Sequence, residues 1–356
     1  MNTQTKIFLK KKFKEYYTRH RIPAPAEVEK REFGTGTLER KIAVRHKSFE
    51  SVNELNNYLK REAPYFISYS AAYYEFPQNQ PMDTKNWLGA DLVFDVDIDM
   101  EFLNYNGMGA AKQETQKLID FLTNDFSFSL SELNINFSGS KGYHIHLSNP
   151  VVLELGRSER REIVDYVTAK GLNLTRESSW KKRIENEVLN FIENSDVSGF
   201  QEIEGIGEKT AKRLFDKKED ITGQIKRKGI GHVEGFLGFR EKLVKSITDK
   251  MKVSFTGDTD ESVTADTSKL IRLPGTLHGG TGLIAKRVND FEKFDPLKDA
   301  LAFGDEEIKV KIDDEIKSKI KFEMNGQCLD AGGKYATVPM YAGIYLMLKG
   351  VCDILE

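Results

Sequence analysis

Between Asp91 and Met100 the chain alternates: Asp91, Val93, Asp95, Asp97 and Asp99 fall on one side of a two-residue period, Leu92, Phe94, Val96 and Ile98 on the other. That period predicts a strand with one apolar face and one face made almost wholly of carboxylates. A second alternation, LNINFSGSKGYHIHL at 133–147, predicts a hairpin. Its second arm turns Tyr143, Ile145 and Leu147 one way and His144 and His146 the other. Residues 65–76, rich in aromatic and β-branched side chains, predict a strand leading to the acidic one. Helical spacing takes over at 111–124, with Leu118, Phe121 and Leu122 on one stripe. At 5–21, Lys6, Lys10, Lys11, Lys12, Lys14, Arg19 and Arg21 interleave with Phe8, Phe13, Tyr16 and Tyr17. This is either a basic helix facing a phosphate backbone or a solvated helix with an aromatic inner stripe. From 156 to 250 the composition becomes charged and helix-favouring, which predicts a helical insertion, and strand character returns at 251–288. The segment 306–325 alternates charge and aliphatics, and 339–355 predicts a final buried helix. No internal repeat stands out.

Composition narrows the class. At 356 residues the chain has room for two domains or for one with a large insertion. Its 53 basic and 55 acidic residues give a net charge of −2, so any nucleic-acid binding must come from local patches. Two cysteines, Cys328 and Cys352, allow neither a disulfide framework nor a four-cysteine zinc site and fit a reducing interior. The N-terminus lacks the apolar core of a signal peptide, and no apolar run reaches the roughly 20 residues that span a bilayer. An intracellular, cytoplasmic protein is expected.

Several stretches carry candidate chemistry, each with a plainer reading beside it. Carboxylates two apart on a strand sit about 7 Å from one another and raise one another's pKa unless a cation such as Mg²⁺ or Mn²⁺ intervenes. Charged edge strands also discourage aggregation. The loop Ser138 to Gly142 has two glycines, a hydroxyl and Lys141, a composition that suits a phosphate nest or an ordinary hairpin turn. Arg45, His46 and Lys47 form a short basic cluster that either holds a phosphate or faces solvent. IEGIGEKTAKRLF at 203–215 resembles a helix-hairpin-helix element. Its Gly-Ile-Gly turn would offer N–H groups to a DNA phosphate beside Lys209, Lys212 and Arg213; the plainer reading is a helix start with a basic exposed face. Finally Asp258, Asp260 and Asp266 precede Arg272 and His278 around a Pro274–Gly275 turn. They either decorate a surface loop or bring a third carboxylate to a two-metal site.

Taken in order, REFG (31–34), RHKSF (45–49), YSAAYYEFP (69–77), LVFDVDID (92–99), FSGSKGYHIHL (137–147) and DESVTADTSKLIRLPGTLHGGTG (260–282) resemble the small catalytic subunit of archaeal and eukaryotic DNA primase, the archaeal version more nearly. The resemblance implies an α/β fold: a primase catalytic core of mixed sheets with flanking helices, here 1–155 and 251–356, and a mainly helical insertion at 156–250. It implies that Asp95, Asp97 and Asp260 bind Mg²⁺ or Mn²⁺. It further implies that Ser138, Lys141, His144, Arg272 and His278 address the nucleotide triphosphate, while His146 has a less certain role. The implied activity is template-directed synthesis of short RNA or DNA primers on single-stranded DNA by two-metal nucleotidyl transfer, in a heterodimer with a primase large subunit near the nucleoid. A primase-polymerase that only extends existing primers is the nearer alternative. A catalytically silent DNA-binding subunit is the more distant one, since paired carboxylates would only repel the DNA backbone. Two positions depart from the family pattern. Residues 101–113 contain neither Cys nor His where archaeal relatives carry a zinc knuckle, so no structural zinc is expected, and Gly280 stands where many have Lys.

Overall fold

A computed structural model describes residues 1–174, 177–232, 237–255, 263–313, 320–331 and 333–355. The chain divides into two compact units, Met1–Gln116 with Phe128–Glu162 and Phe255–Glu356, and Lys117–Ser127 with Ile163–Ser254.

The first unit holds the strands: β1 (Phe33–Gly36), β2 (Val44–Lys47), β3 (Phe66–Ser70), β4 (Ala72–Tyr74), β5 (Trp87–Ala90), β6 (Leu92–Asp97), β7 (Leu133–Phe137), β8 (Gly142–Leu147), β9 (Leu270–Arg272), β10 (Lys286–Arg287), β11 (Glu307–Ile312), β12 (Ile320–Met324), β13 (Gln327–Ala331), β14 (Tyr335–Pro339) and β15 (Cys352–Ile354). Two four-stranded antiparallel sheets carry the candidate site, in the orders β2-β1-β3-β9 and β10-β7-β8-β6. The stretch expected as one strand at 65–76 is two. The Arg31 guanidinium donates to the carbonyls of Ser70 and Ala71 at 2.9 and 2.7 Å, and at this point the chain passes from β3, paired with β9, to β4, which pairs with β5. The acidic strand is shorter than its alternation: β6 ends at Asp97, leaving Asp91 before it and Asp99 beyond it. Every residue of β8 is buried, so both faces of this sheet are covered.

Helix α1 (Thr3–Arg19) is capped by Asn2, whose side chain accepts from the Thr5 N–H, and it buries Leu9, Phe13, Tyr16 and Tyr17. Its aromatics therefore form an inner stripe. Helix α2 (Val52–Glu62) starts on Ser51 in the same way. Among the described residues of the region 251–288 the strand structure is β9, β10 and one bridge, Leu277 with Ile284. Turns at Gly275 and Gly282, with φ of +87° and +74°, interrupt any longer ladder. The last helix ends at Leu348, and Gly350 at φ +76° redirects the chain into β15, so the helix expected through 355 is cut short.

Helix α3 (Tyr105–Asn124) runs longer than its sequence stripe. After α4 (Pro150–Leu153) and α5 (Arg157–Val167), the second unit is built from α6 (Ser179–Asn194), α7 (Val197–Gln201), α8 (Glu208–Asp216), α9 (Lys218–Lys228) and α10 (Leu237–Met251). Trp180, Ile184, Val188 and Ile192 line one face of α6 at four-residue spacing and pack with Ile221, Ile225 and Leu243 in this unit's core. Among the described residues no helix is long and apolar enough to cross a membrane.

Candidate functional site

The antiparallel register of β6 and β8 sets Asp95 opposite His144 and Asp97 opposite Gly142. His144 Nε2 lies 3.3 Å from Asp95 Oδ1, a buried oxygen that accepts no hydrogen bond among the described residues. A Cβ at residue 142 would stand 1.8 Å from the Val96 carbonyl oxygen and 2.6 Å from Asp97 Oδ1, so only glycine lets the carboxylate lie over the β8 backbone. Burial first, and then the charge of Asp95, push the Asp97 carboxyl up to about 6, with His144, Lys41 and Lys141 pulling the other way. A half-buried Asp97 carboxyl raised by burial and by the neighbouring Asp95, beside an Asp95 oxygen that is itself shielded from water, forms a donor set that a divalent cation would relieve, so these residues fit such an ion. Asp260, the third candidate, and Asp258 lie outside the described residues. Among the described residues no group of three His, Cys, Asp or Glu converges on one metal position.

The hairpin loop is not the open nest its glycines predict. Ser138 Oγ accepts from the N–H groups of Ser140 and Gly142 at 3.2 and 3.3 Å, so the hydroxyl closes the loop on itself. Lys141 remains partly exposed, 3.4 Å from Asp99 Oδ1. Gly139, at φ +81°, brings the loop against the following turn: a Cβ there would stand 3.0 Å from both His278 Cβ and Ala285 N. Thr281 Oγ1 donates to the Gly139 carbonyl and fastens the two loops together.

His278 is buried, and its Nδ1 accepts from the Gly280 N–H at 3.2 Å, which leaves the proton of the neutral ring on Nε2. Burial, with Arg272 next, holds its pKa well below the ordinary histidine value. Arg272 sits on β9 opposite Ser68, with its guanidinium 4.8 Å from the Phe66 ring centroid and its Nε buried without a hydrogen bond among the described residues. Burial lowers its pKa to about 10, and the Asp95 charge acts against that fall. The fold thus brings Asp95, Asp97, Ser138, Lys141, His144, Arg272 and His278 together.

Other expectations resolve into structure. His146 packs against Tyr69 with its Nδ1 3.3 Å from the phenol, and burial keeps it neutral with a pKa of about 3. Asp91 is locked to Arg31 at 2.7 Å and accepts from Tyr73 OH. Asp266 accepts from Ser268 and shapes a turn. Arg45 points inward, to Glu32 at 2.8 Å and to the Ser268 carbonyl at 3.0 Å, rather than waiting for a phosphate. One cation escaped the sequence reading. Lys41 acts on both Asp97 and His278 through space, from a turn that depends on Gly36, where a Cβ would stand 2.2 Å from the Lys41 carbonyl. No motif marks it.

A family model described as the DNA primase small subunit matches residues 94–290. The DNA primase small subunit PriS of Archaeoglobus fulgidus is 37% identical over 97% of this chain and 98% of its own length. That of Methanococcoides burtonii is 34% identical, covering 99% of both chains. The Halobacterium salinarum protein of the same name is 32% identical, again over 99% of both.

Proposed function

This chain belongs to the DNA primase small-subunit family, and on that premise we propose that Asp95, Asp97, His144, Arg272 and His278 form its nucleotidyl-transfer site. The chain is a catalytic primase subunit, a nucleotidyltransferase that synthesises primers. Members of the family use divalent metals, and the small subunit implies a large-subunit partner, with DNA and nucleoside triphosphates as substrates.

The observation that carries the reading of the site is the meeting of a two-carboxylate strand with cationic and histidine side chains from separate segments. Asp95 and Asp97, with Asp260 from the 256–262 segment, would hold Mg²⁺ or Mn²⁺. When bound, such ions lower the pKa of the attacking hydroxyl and neutralise the leaving pyrophosphate. Arg272 and Lys141 supply the positive charge that draws in and orients a triphosphate. The neutral His278 offers its Nε2–H as a donor that needs no added charge. His144, held against Asp95, fixes that carboxylate's direction. Ser138, whose Oγ accepts from the N–H groups of Ser140 and Gly142, is thereby positioned to donate its O–H to the triphosphate. In this reading 1–155 and 251–356 form the catalytic core and 156–250 a helical insertion, and the reaction takes place inside the cell, where single-stranded template is exposed.

The test is de novo priming on single-stranded DNA with labelled nucleoside triphosphates and Mg²⁺ or Mn²⁺, with and without a large subunit. Primers are expected from the wild type and none from an Asp95→Ala, Asp97→Ala double variant. Activity surviving in that variant refutes the site, and extension of annealed primers without initiation favours the primase-polymerase alternative.

A further inference from the structure

His146 has no part in the nucleotidyl-transfer site, yet it lines a cavity of about 260 Å³ on the same face of the sheet. The register puts it there. Arg287 lies opposite Asn136, Asn136 opposite His144 and His144 opposite Asp95, so one row crosses four strands from the β10 edge to the carboxylates. Asn134 and His146 belong to the next row. At about 5 Å per strand, the Asn136 backbone stands about 10 Å from that of Asp95. The cavity is therefore within the reach of one nucleotide from the two carboxylates.

The lining combines buried polar groups with flat apolar surface. Arg31, Asp91, Asn136 and His146 are each more than nine-tenths buried, and Pro23, Pro25 and Pro274 add apolar faces. The deep charges are already matched: Arg31 donates to Asp91 Oδ2 at 2.7 Å and to two carbonyls, and Asp91 Oδ1 accepts from Tyr73 OH. The His146 ring is uncharged, and its Nδ1 is engaged with Tyr69 OH. Its Nε2 is buried and has no hydrogen-bond partner among the described residues. A neutral imidazole has one donor and one acceptor nitrogen, and a buried one left without a partner calls for a ligand that supplies it. An anion would find the deep cation already neutralised by Asp91. The volume falls below the roughly 300 Å³ at which pockets for drug-sized ligands begin, which leaves room for one ring system and not for a whole triphosphate.

We propose that this cavity is a subsite for an unpaired nucleobase, whose polar edge meets His146 Nε2 and the amides of Asn134 and Asn136. Hydrogen bonds to a base edge, with apolar side chains against its faces, are how proteins hold a base outside a pair. A base that is being copied has that edge turned to its partner. The occupant is thus a base of the single-stranded template or the base of a nucleotide held before it pairs. The choice of ligand class rests on the nucleotidyl-transfer reading above, whereas the binding itself needs neither Asp95 nor Asp97. Fixed hydrogen-bonding groups favour one base over another, so the cavity gives the protein a base preference that precedes chemistry.

The full chain, without divalent ion or nucleotide, is titrated with fluorescent oligo-dT, oligo-dC and oligo-dA of equal length. A difference of about fivefold between the best and the worst strand is expected. His146→Phe keeps a ring on Tyr69 but has no nitrogen. It should shrink that difference to within about twofold and leave the salt slope of binding unchanged, since no phosphate contact is lost. Asn134→Leu, at a half-buried position, takes its place where His146→Phe melts well below wild type. A second arm measures ATP, CTP, GTP and UTP with Mn²⁺ and no DNA by calorimetry. A preference among the strands that depends on His146 places a template base in the cavity, and one among the triphosphates places the base of the nucleotide there. An Asp95→Asn, Asp97→Asn variant should keep the strand preference, so a failure of priming bears on the catalytic site and not on this one. Equal affinities throughout both arms, or a preference that survives in the folded variant, overturns the proposal.

Discussion

Replacing Asp97 by Asn should stabilise the metal-free protein at neutral pH while abolishing priming. Asp97 is a carboxyl pushed up to about 6 from an ordinary 3.8, chiefly by burial and then by Asp95. A folded pKa above the unfolded one means that the folded state binds the proton more tightly. The stability linked to that proton is present below the ordinary carboxylate range and is lost as pH rises through 6. About two pKa units correspond to about 3 kcal/mol of penalty on the folded state at pH 7.5, shrinking to about 1 kcal/mol at pH 4.5. Asn is the same size and cannot ionise, so it escapes that penalty. Calorimetry at pH 7.5 should show the Asp97→Asn melting temperature above wild type, by several degrees at about 2–4 °C per kcal/mol for a chain of this size. The gain should be markedly smaller at pH 4.5. Added Mn²⁺ should close the gap by stabilising the wild type more than the variant. A variant that is neutral or less stable at pH 7.5, or equally stabilised at both pH values, would refute the claim that Asp97 is held in an unfavourable charged state.

Other substitutions read other parts of the site. Gly142→Ala places a Cβ on the Val96 carbonyl and should destabilise by about 3 kcal/mol or more, seen as a lower denaturant midpoint, with priming lost alongside. Arg272→Met should raise the nucleotide KM at least tenfold, since hydrogen bonds to charged groups are worth about 1.5–3 kcal/mol. The melting temperature should hold, because a buried cation with a bare Nε is being removed. Lys41→Ala should raise KM a few-fold and weaken its dependence on ionic strength, measured by steady-state priming from 50 to about 300 mM salt. Gly280→Lys, which adds a cation beside His278, should lower KM several-fold, and an unchanged KM would show that this position does not reach the phosphates.

The elements with strict two-residue alternation were legible, and so was the placement of the candidate residues they carry. Asp95, Asp97 and His144 sit where alternation puts them because a one-residue slip of β6 against β8 would turn buried side chains out and carboxylates in. What alternation does not encode is how a polar loop spends its hydrogen bonds. Ser138 and Gly142 have the composition of a phosphate nest, but the same hydroxyl that would meet a ligand reaches the loop's own N–H groups more cheaply. Long-range ion pairs were equally hidden. Nothing in the local sequence tells that Asp91 faces Arg31, or that Arg45 turns toward Glu32 and Ser268. Lys41 was invisible because it reaches the site from a turn whose shape depends on Gly36.

The segment 101–113 shows how a fold can hold a position by other means. Where the family pattern has a Cys/His zinc knuckle, this chain has no such ligands, and its backbone is tied to distant residues instead. The Leu103 N–H donates to Tyr345 OH at 2.9 Å, and the Leu103 carbonyl accepts from the Glu323 N–H at 2.8 Å. Tyr105 closes the set: its N–H donates to the Glu323 carboxylate, and its hydroxyl accepts from the Gly326 N–H at 2.7 Å. Each such bond contributes only about 1 kcal/mol net, far less than a zinc ion holding its ligands. Four of them act together, however, on a segment whose Met100 and Leu103 are already buried. They join the stretch that follows the acidic strand to β12 and to the last helix. The direction in which the chain leaves Asp97 is therefore set by packing and hydrogen bonds within this unit, which hold the two carboxylates in register with His144 and Gly142.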